Sequence, residues 1–176
     1  MDTAVMLWIH RHANPALDAA FLFSWLLGSF WFCAPLTVFR VARHLRRGER
    51  REAAAWLVVA AAVIVLPELL KVAVGRARPT LWPWLISTVG YSFPSGHATA
   101  SAAFFPLLGW TTLRSRDRGG AGYALGLAVA AFVGVGRLYV GVHWPSDVLA
   151  GWALGLALSG GSIAWLKKPR AAPESS

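Results

Sequence analysis

Residues 53–74 read AAAWLVVAAAVIVLPELLKVAV, with one acid, Glu68, and one base, Lys71, both near the C-terminal end. A helix crossing the hydrocarbon core of a bilayer needs roughly 17–25 apolar residues. This stretch reads as such a span, and the rest of the chain is read outward from it. Four further stretches are apolar enough to join it, at 16–39, 97–113, 121–136 and 148–166. Of these, 97–113 and 121–136 are short for a span. Residues 2–13, DTAVMLWIHRHA, are too short to cross and read as an interfacial helix. Asn14-Pro15 then breaks the chain. The expected fold is an all-α polytopic membrane helix bundle. It has five spans plus the N-terminal interfacial helix, or six spans if that helix crosses. A single domain covers 1–166, and a disordered polar tail follows over 167–176.

Composition agrees with this class. Hydrophobic residues make up 56 % of the 176 and charged residues 14 %, against about 25 % charged in soluble domains. The formal net charge of +9 does not point to nucleic acid, because the basic residues sit in short clusters between apolar runs. Cys33 is the single cysteine, so no internal disulfide forms. The N-terminus lacks a basic start and a small-residue cleavage site, so no removable signal peptide is expected.

With five spans, the 40–51 loop, the 114–118 loop and the C-terminal tail fall on one face and carry twelve basic residues. The other face holds five: Arg11, Lys71, Arg76, Arg78 and Arg137. The positive-inside bias then places the twelve and the C-terminus in the cytoplasm. The expected location is an inner (plasma) membrane, with Lys71, Arg78, His97, Arg137, His143 and Asp147 gathered on the external, periplasmic face.

Ionisable residues at membrane depth are costly and mark function by default. Residues 71–79 read KVAVGRARP. Lys71 and Arg78 lie two helical turns apart, and Glu68 stands three residues before Lys71, placed to orient it. Arg76 reads equally well as a boundary residue snorkelling to the interface. Residues 94–97 read PSGH. Ser95 caps a helix, Gly96 lets an oxyanion approach its free N–H groups, and His97 sits on the first turn. In GRLYVGVHWPSD, residues 136–147, Asp147 near a helix start can reach His143. A carboxylate on one ring nitrogen leaves the other a better nucleophile or base. Arg137 adds a planar fork suited to phosphate oxygens. Two histidines, a carboxylate, three cations and a helix N-terminus together suit phosphoryl transfer, where one histidine attacks phosphorus and the other protonates the leaving oxygen.

These motifs resemble the three signatures of the type 2 phosphatidic acid phosphatases, or lipid phosphate phosphatases. They are Lys71 followed by Arg78-Pro79, then Pro94-Ser95-Gly96-His97, then Arg137 with His143 and Asp147. The resemblance covers about residues 71–147. It implies that Lys71, Arg78, Ser95, Gly96 and Arg137 bind the substrate phosphate. His143 is then the nucleophile that becomes a phosphohistidine, Asp147 its partner and His97 the general acid. No cofactor and no metal is implied. The family serine before the arginine is Gly136 here, and the expectation is a modest loss of phosphate contact.

The implied partner is a membrane lipid phosphate within the bilayer. Undecaprenyl pyrophosphate is expected first, and phosphatidylglycerol phosphate or phosphatidic acid second. Trp82, Trp84 and Tyr91, in the loop after the first motif, either line a lipid access route or anchor the loop. Two rival readings remain at this point. Two histidines and an aspartate suit a zinc-dependent membrane hydrolase, and intramembrane charges also suit a non-enzymatic transporter or scaffold.

Overall fold

The computed structural model describes residues 2–169. These form seven α-helices: α1 Asp2–His10, α2 Pro15–Leu27, α3 Phe30–Arg46, α4 Arg50–Val74, α5 Gly96–Leu113, α6 Gly119–Tyr139 and α7 Pro145–Lys167. A short 3₁₀ turn, Arg114–Arg116, joins α5 to α6. Local chemistry marks the boundaries. Asn14 Oδ1 accepts from the N–H groups of Ala16 and Leu17 at 3.1 and 3.0 Å, with Pro15 opening α2. Gly75 closes α4 at φ +63°, the left-handed cap that favours glycine. Asp147 accepts from the Trp144 N–H at 2.9 Å, capping α7.

Three helices, α4, α6 and α7, are long and apolar enough to cross a membrane, and α2 with α3 makes a fourth candidate as one span bent by 44°. The expected count of five is therefore not what length and composition support. The expected span at 97–113 is α5, in which every residue from Ala98 to Leu107, mostly Ala, Ser, Thr and Phe, is buried. It lies inside the protein, between α6 and α7, and needs no lipid-facing apolar surface. The expected span at 16–39 is broken at Gly28–Ser29, and α3 continues through Arg46, so only residues 47–49 link α3 to α4. The stretch expected to form an interfacial helix is α1. At about 1.5 Å per residue its nine residues fall far short of a bilayer's roughly 30 Å. It folds onto the bundle, with Met6 fully buried beside Ala98, Leu138 and Val148. Lys167 completes α7, and residues 170–176 of the expected tail lie outside the described residues.

Close helix packing depends on small side chains. A Cβ at Gly155 would collide with the Thr99 carbonyl, one at Gly126 with the Phe105 backbone, and Gly109 and Gly122 face each other. Ser159 donates to the Ala102 carbonyl at 3.1 Å. Small residues at every fourth position let α6 and α7 press against α5. Beside this contact, Trp56, Val59, Phe104 and Leu107 form the main apolar core.

Antiparallel connectivity sorts the polar residues to two ends. At one end the α3–α4 turn meets the α5–α6 turn, where Arg114 bonds Glu52 at 2.7 Å and Arg40 bonds Thr111. At the other end meet α1, the end of α4, the start of α5, the end of α6 and the start of α7.

Candidate active site

All eight residues singled out from the sequence lie at that second end. His143 sits in the short link between α6 and α7, and only 4 % of it is exposed. Its Nε2 stands 3.3 Å from Arg78 Nη1. Arginine can only donate, so Nε2 carries the lone pair and Nδ1 the proton. Asp147 Oδ2 lies 3.5 Å from Nδ1, too long for a full hydrogen bond, and Nδ1 has no other partner among the described residues. The carboxylate faces the ring and holds this tautomer electrostatically. Burial pushes the His143 imidazole down to about 4; Arg137 and Arg78 add to this and Asp147 opposes it. The ring is therefore neutral near pH 7.

Asp147 is itself fully buried and firmly held. Arg76 Nη1 donates to Oδ1 at 2.7 Å and the Trp144 N–H to Oδ2. Arg76 also donates to Ser146 and, from α1, to Asp2. The arginine that read equally well as a snorkelling boundary residue is the clamp on the histidine's partner. Its neighbours Asp2 and Asp147 are 74 and 71 residues away along the chain, so nothing local in sequence marks it.

Arg78 spends its donors on the carbonyls of Val89, Gly90, Tyr91 and Val142. It stitches the 89–91 loop to the His143 link and keeps Nε2 aimed. Arg137 differs. Only 2 % of it is exposed, and its Nε is buried without a hydrogen-bond partner among the described residues. A buried cation without a partner is costly and calls for an anion. His97 Nε2 is likewise buried without a partner, and His97 lies within electrostatic reach of Arg137, His143, Lys71 and Arg78.

Ser95 is fully buried and caps α5, its Oγ accepting from the Ala98 N–H at 3.4 Å. The Ser95 N–H donates to the Asp147 carbonyl at 3.0 Å, tying the starts of α5 and α7 together. Beside Gly96 lies open space where a Cβ would be, and Gly96 and His97 border a groove at the start of α5, where the free N–H groups of a helix N-terminus suit an oxyanion. Lys71 Nζ pairs with Glu68 Oε1 at 2.6 Å. A groove of about 400 Å³ runs from Lys71, Gly96 and His97 down between α3 and α4 to Cys33, Val63 and Phe104. A polar mouth over an apolar trough is suited to an amphiphile with an anionic head.

Trp82 stacks on His10 at 4.1 Å and Trp84 donates to the Pro79 carbonyl, so these two anchor the loop. Tyr91 stays exposed. Two residues of α2 and the glycine that caps it, none marked in the sequence, wall the site. Trp25 stacks near His97 at 6.3 Å. Gly28 lets His97 come close, since a Cβ there would lie 3.1 Å from it. Ser24 Oγ occupies the space a side chain at Gly136 would need. Among the described residues, no three His, Cys, Asp or Glu side chains stand close enough to share a metal ion.

Comparison with known proteins meets this geometry. The family model of the PAP2 superfamily matches residues 52–171. The chain belongs to the PAP2 superfamily. It is 31 % identical over 137 residues to phosphatidylglycerophosphatase B of Bacillus subtilis, covering 75 % of this chain and 66 % of that protein. It is 37 % identical over 101 residues to undecaprenyl-diphosphatase of Sulfolobus acidocaldarius, covering 54 % and 46 %. The chain thus spans two thirds or less of the length of these PAP2 relatives. The crystal structure of a transmembrane PAP2-type phosphatidylglycerolphosphate phosphatase from Bacillus subtilis matches with TM-score 0.88 at 28 % identity, over 96 % of this chain and 86 % of that one. The protein is a helical membrane protein of PAP2 architecture.

Proposed function

We propose that this PAP2 protein is a lipid phosphatase that removes a terminal phosphate from a membrane lipid. The observation that carries the reading is the buried Arg137, whose Nε has no partner among the described residues, set beside buried His143, the buried and unpartnered Nε2 of His97 and a helix N-terminus. A phosphate supplies the anion this site lacks. Arg137, Lys71 and the N–H groups of Gly96 and His97 hold its oxygens. His143 Nε2 attacks phosphorus, the bond from phosphorus to the lipid oxygen breaks, and His97 gives its proton to that oxygen. The negative charge of the bound phosphate favours the imidazolium that this donation requires. Water, deprotonated by His97, then attacks the phosphohistidine, releasing phosphate and restoring His143. Arg78 and Asp147 orient the nucleophile, and Arg76 holds Asp147.

For substrate, similarity to phosphatidylglycerophosphatase B over three quarters of the chain supports a glycerolipid phosphate, phosphatidylglycerol phosphate first. Undecaprenyl pyrophosphate follows, supported by the shorter match to the diphosphatase. The basic residues of the 40–51 and 114–118 segments, with Lys167 and Lys168, stand at the opposite end and support an external site and a cytoplasmic C-terminus. Purified protein in detergent should release phosphate from one of these lipids, and His143→Ala should release none. In sealed right-side-out vesicles, lipid added outside should be hydrolysed. No release from any lipid would overturn the enzymatic reading, and activity only from the inner side would overturn the topology.

A further inference from the structure

Glu68 is not used by the reaction above, yet it sits at the mouth of the groove. It stands in the last two turns of α4, three residues before Lys71, and bonds Lys71 Nζ at 2.6 Å. The two side chains differ sharply in exposure: 66 % for Glu68 and 19 % for Lys71. The cation is built into the site while the carboxylate stands outside it, free to swing away. Helix physics does not ask for an acid here. The C-terminal end of a helix carries partial negative charge, which favours Lys71 and disfavours Glu68. Both residues border the same groove as Gly96 and His97, and Lys71 lies within electrostatic reach of His97.

We infer that Glu68 is an internal competitor for phosphate. In the resting protein its carboxylate occupies the ammonium of Lys71; a phosphate monoester dianion displaces it when it binds. This rests on the phosphatase reading and extends it to affinity. An exposed pair of this kind is weak, whereas a phosphate held by several donors in a partly buried site makes stronger, charge-assisted bonds. Glu68 therefore yields to substrate while raising the concentration that substrate or product phosphate needs to bind. The site is kept from saturating with free phosphate, which it must release each turnover. The ligand chemistry is shared by a lipid headgroup and inorganic phosphate, so both are measured.

Glu68→Gln keeps the shape and removes the charge. For phosphatidylglycerol phosphate in mixed micelles, KM should fall roughly two- to fivefold, the range an exposed ion pair is worth. The inhibition constant of inorganic phosphate should fall by the same factor, with a smaller change in kcat. Glu68→Asp, which retains the charge, should stay nearer the wild type in both. If Glu68 instead orients Lys71 for catalysis, Glu68→Gln raises KM or lowers kcat; that outcome, or unchanged phosphate inhibition, overturns the inference. Binding of inorganic phosphate by calorimetry gives a readout independent of turnover. Tighter binding by Glu68→Gln supports the competitor role even if no lipid is hydrolysed, a result that would defeat the phosphatase reading alone. Equal or weaker binding overturns the competitor role whether or not lipid is hydrolysed.

Discussion

Two arginines separated by a single residue, Arg76 and Arg78, show how partners assign roles. Arg76 holds Asp147 and Asp2, and Arg78 is wrapped in four carbonyls beside His143 Nε2. Arg78 holds His143 and Arg76 holds its partner Asp147, whereas Arg137 remains available for an anion. The sequence supplied the residue types and spacing, because histidine, arginine and aspartate are conspicuous in apolar runs. It could not supply the division of labour, because each partner lies across the bundle. Ser24 beside Gly136 is the same case: the missing side chain was legible, but not the hydroxyl from α2 that fills its space. One consequence of burial is measurable. Unfolded histidine titrates near about 6.5, while folded His143 is pushed down to about 4. Between those values the unfolded chain binds more protons, so this group's contribution is fully present above about 6.5 and falls away as pH drops toward about 4. The slope is at most about 1.4 kcal/mol per pH unit. Thermal unfolding in detergent should show wild type losing more stability between pH 7 and pH 5 than His143→Asn. Equal losses would mean that the ring is not held neutral.

At the scale of elements, α5 organises the bundle. Its extent was legible from the capping serine and the following run, but its environment was not. A helix of Ala, Ser, Thr and Phe reads as a short span until its neighbours are known. Those neighbours carry small residues every fourth position, at 122, 126, 130 and 134 of α6 and at 151, 155 and 159 of α7. The bend at Gly28–Ser29 lies against α5 and α6, where a Cβ at Gly28 would come within 3.1 Å of His97 and 2.9 Å of Val133. The α5–α7 contact is tested at Gly155, where a Cβ would meet the backbone of α5 at Thr99 and Ala103. Backbone cannot move aside as a side-chain tip can, so Gly155→Leu should destabilise by at least about 1–3 kcal/mol. It should also reduce activity, because the starts of α5 and α7 carry Ser95 and Asp147. A variant with wild-type unfolding temperature and turnover would show that the two helices do not pack this closely.

Across the whole molecule, antiparallel connectivity converts residues scattered over more than seventy positions into one polar end above an apolar groove. Charge distribution along the sequence was enough to sort these residues to one end. The number of crossing helices was not, because length and hydropathy do not distinguish a lipid-facing helix from one enclosed by others. The proposed chemistry requires a phosphoryl group to fit between His143 and His97 with Arg137 on its oxygens. Orthovanadate, which adopts the five-coordinate geometry of phosphoryl transfer, reports on this directly. A crystal structure of the protein with orthovanadate should show vanadium bonded to His143 Nε2, its equatorial oxygens on Arg137 and the α5 N-terminus, and an apical oxygen toward His97 Nε2. Vanadate bound away from His143, or with Arg137 turned from it, would contradict the proposed site.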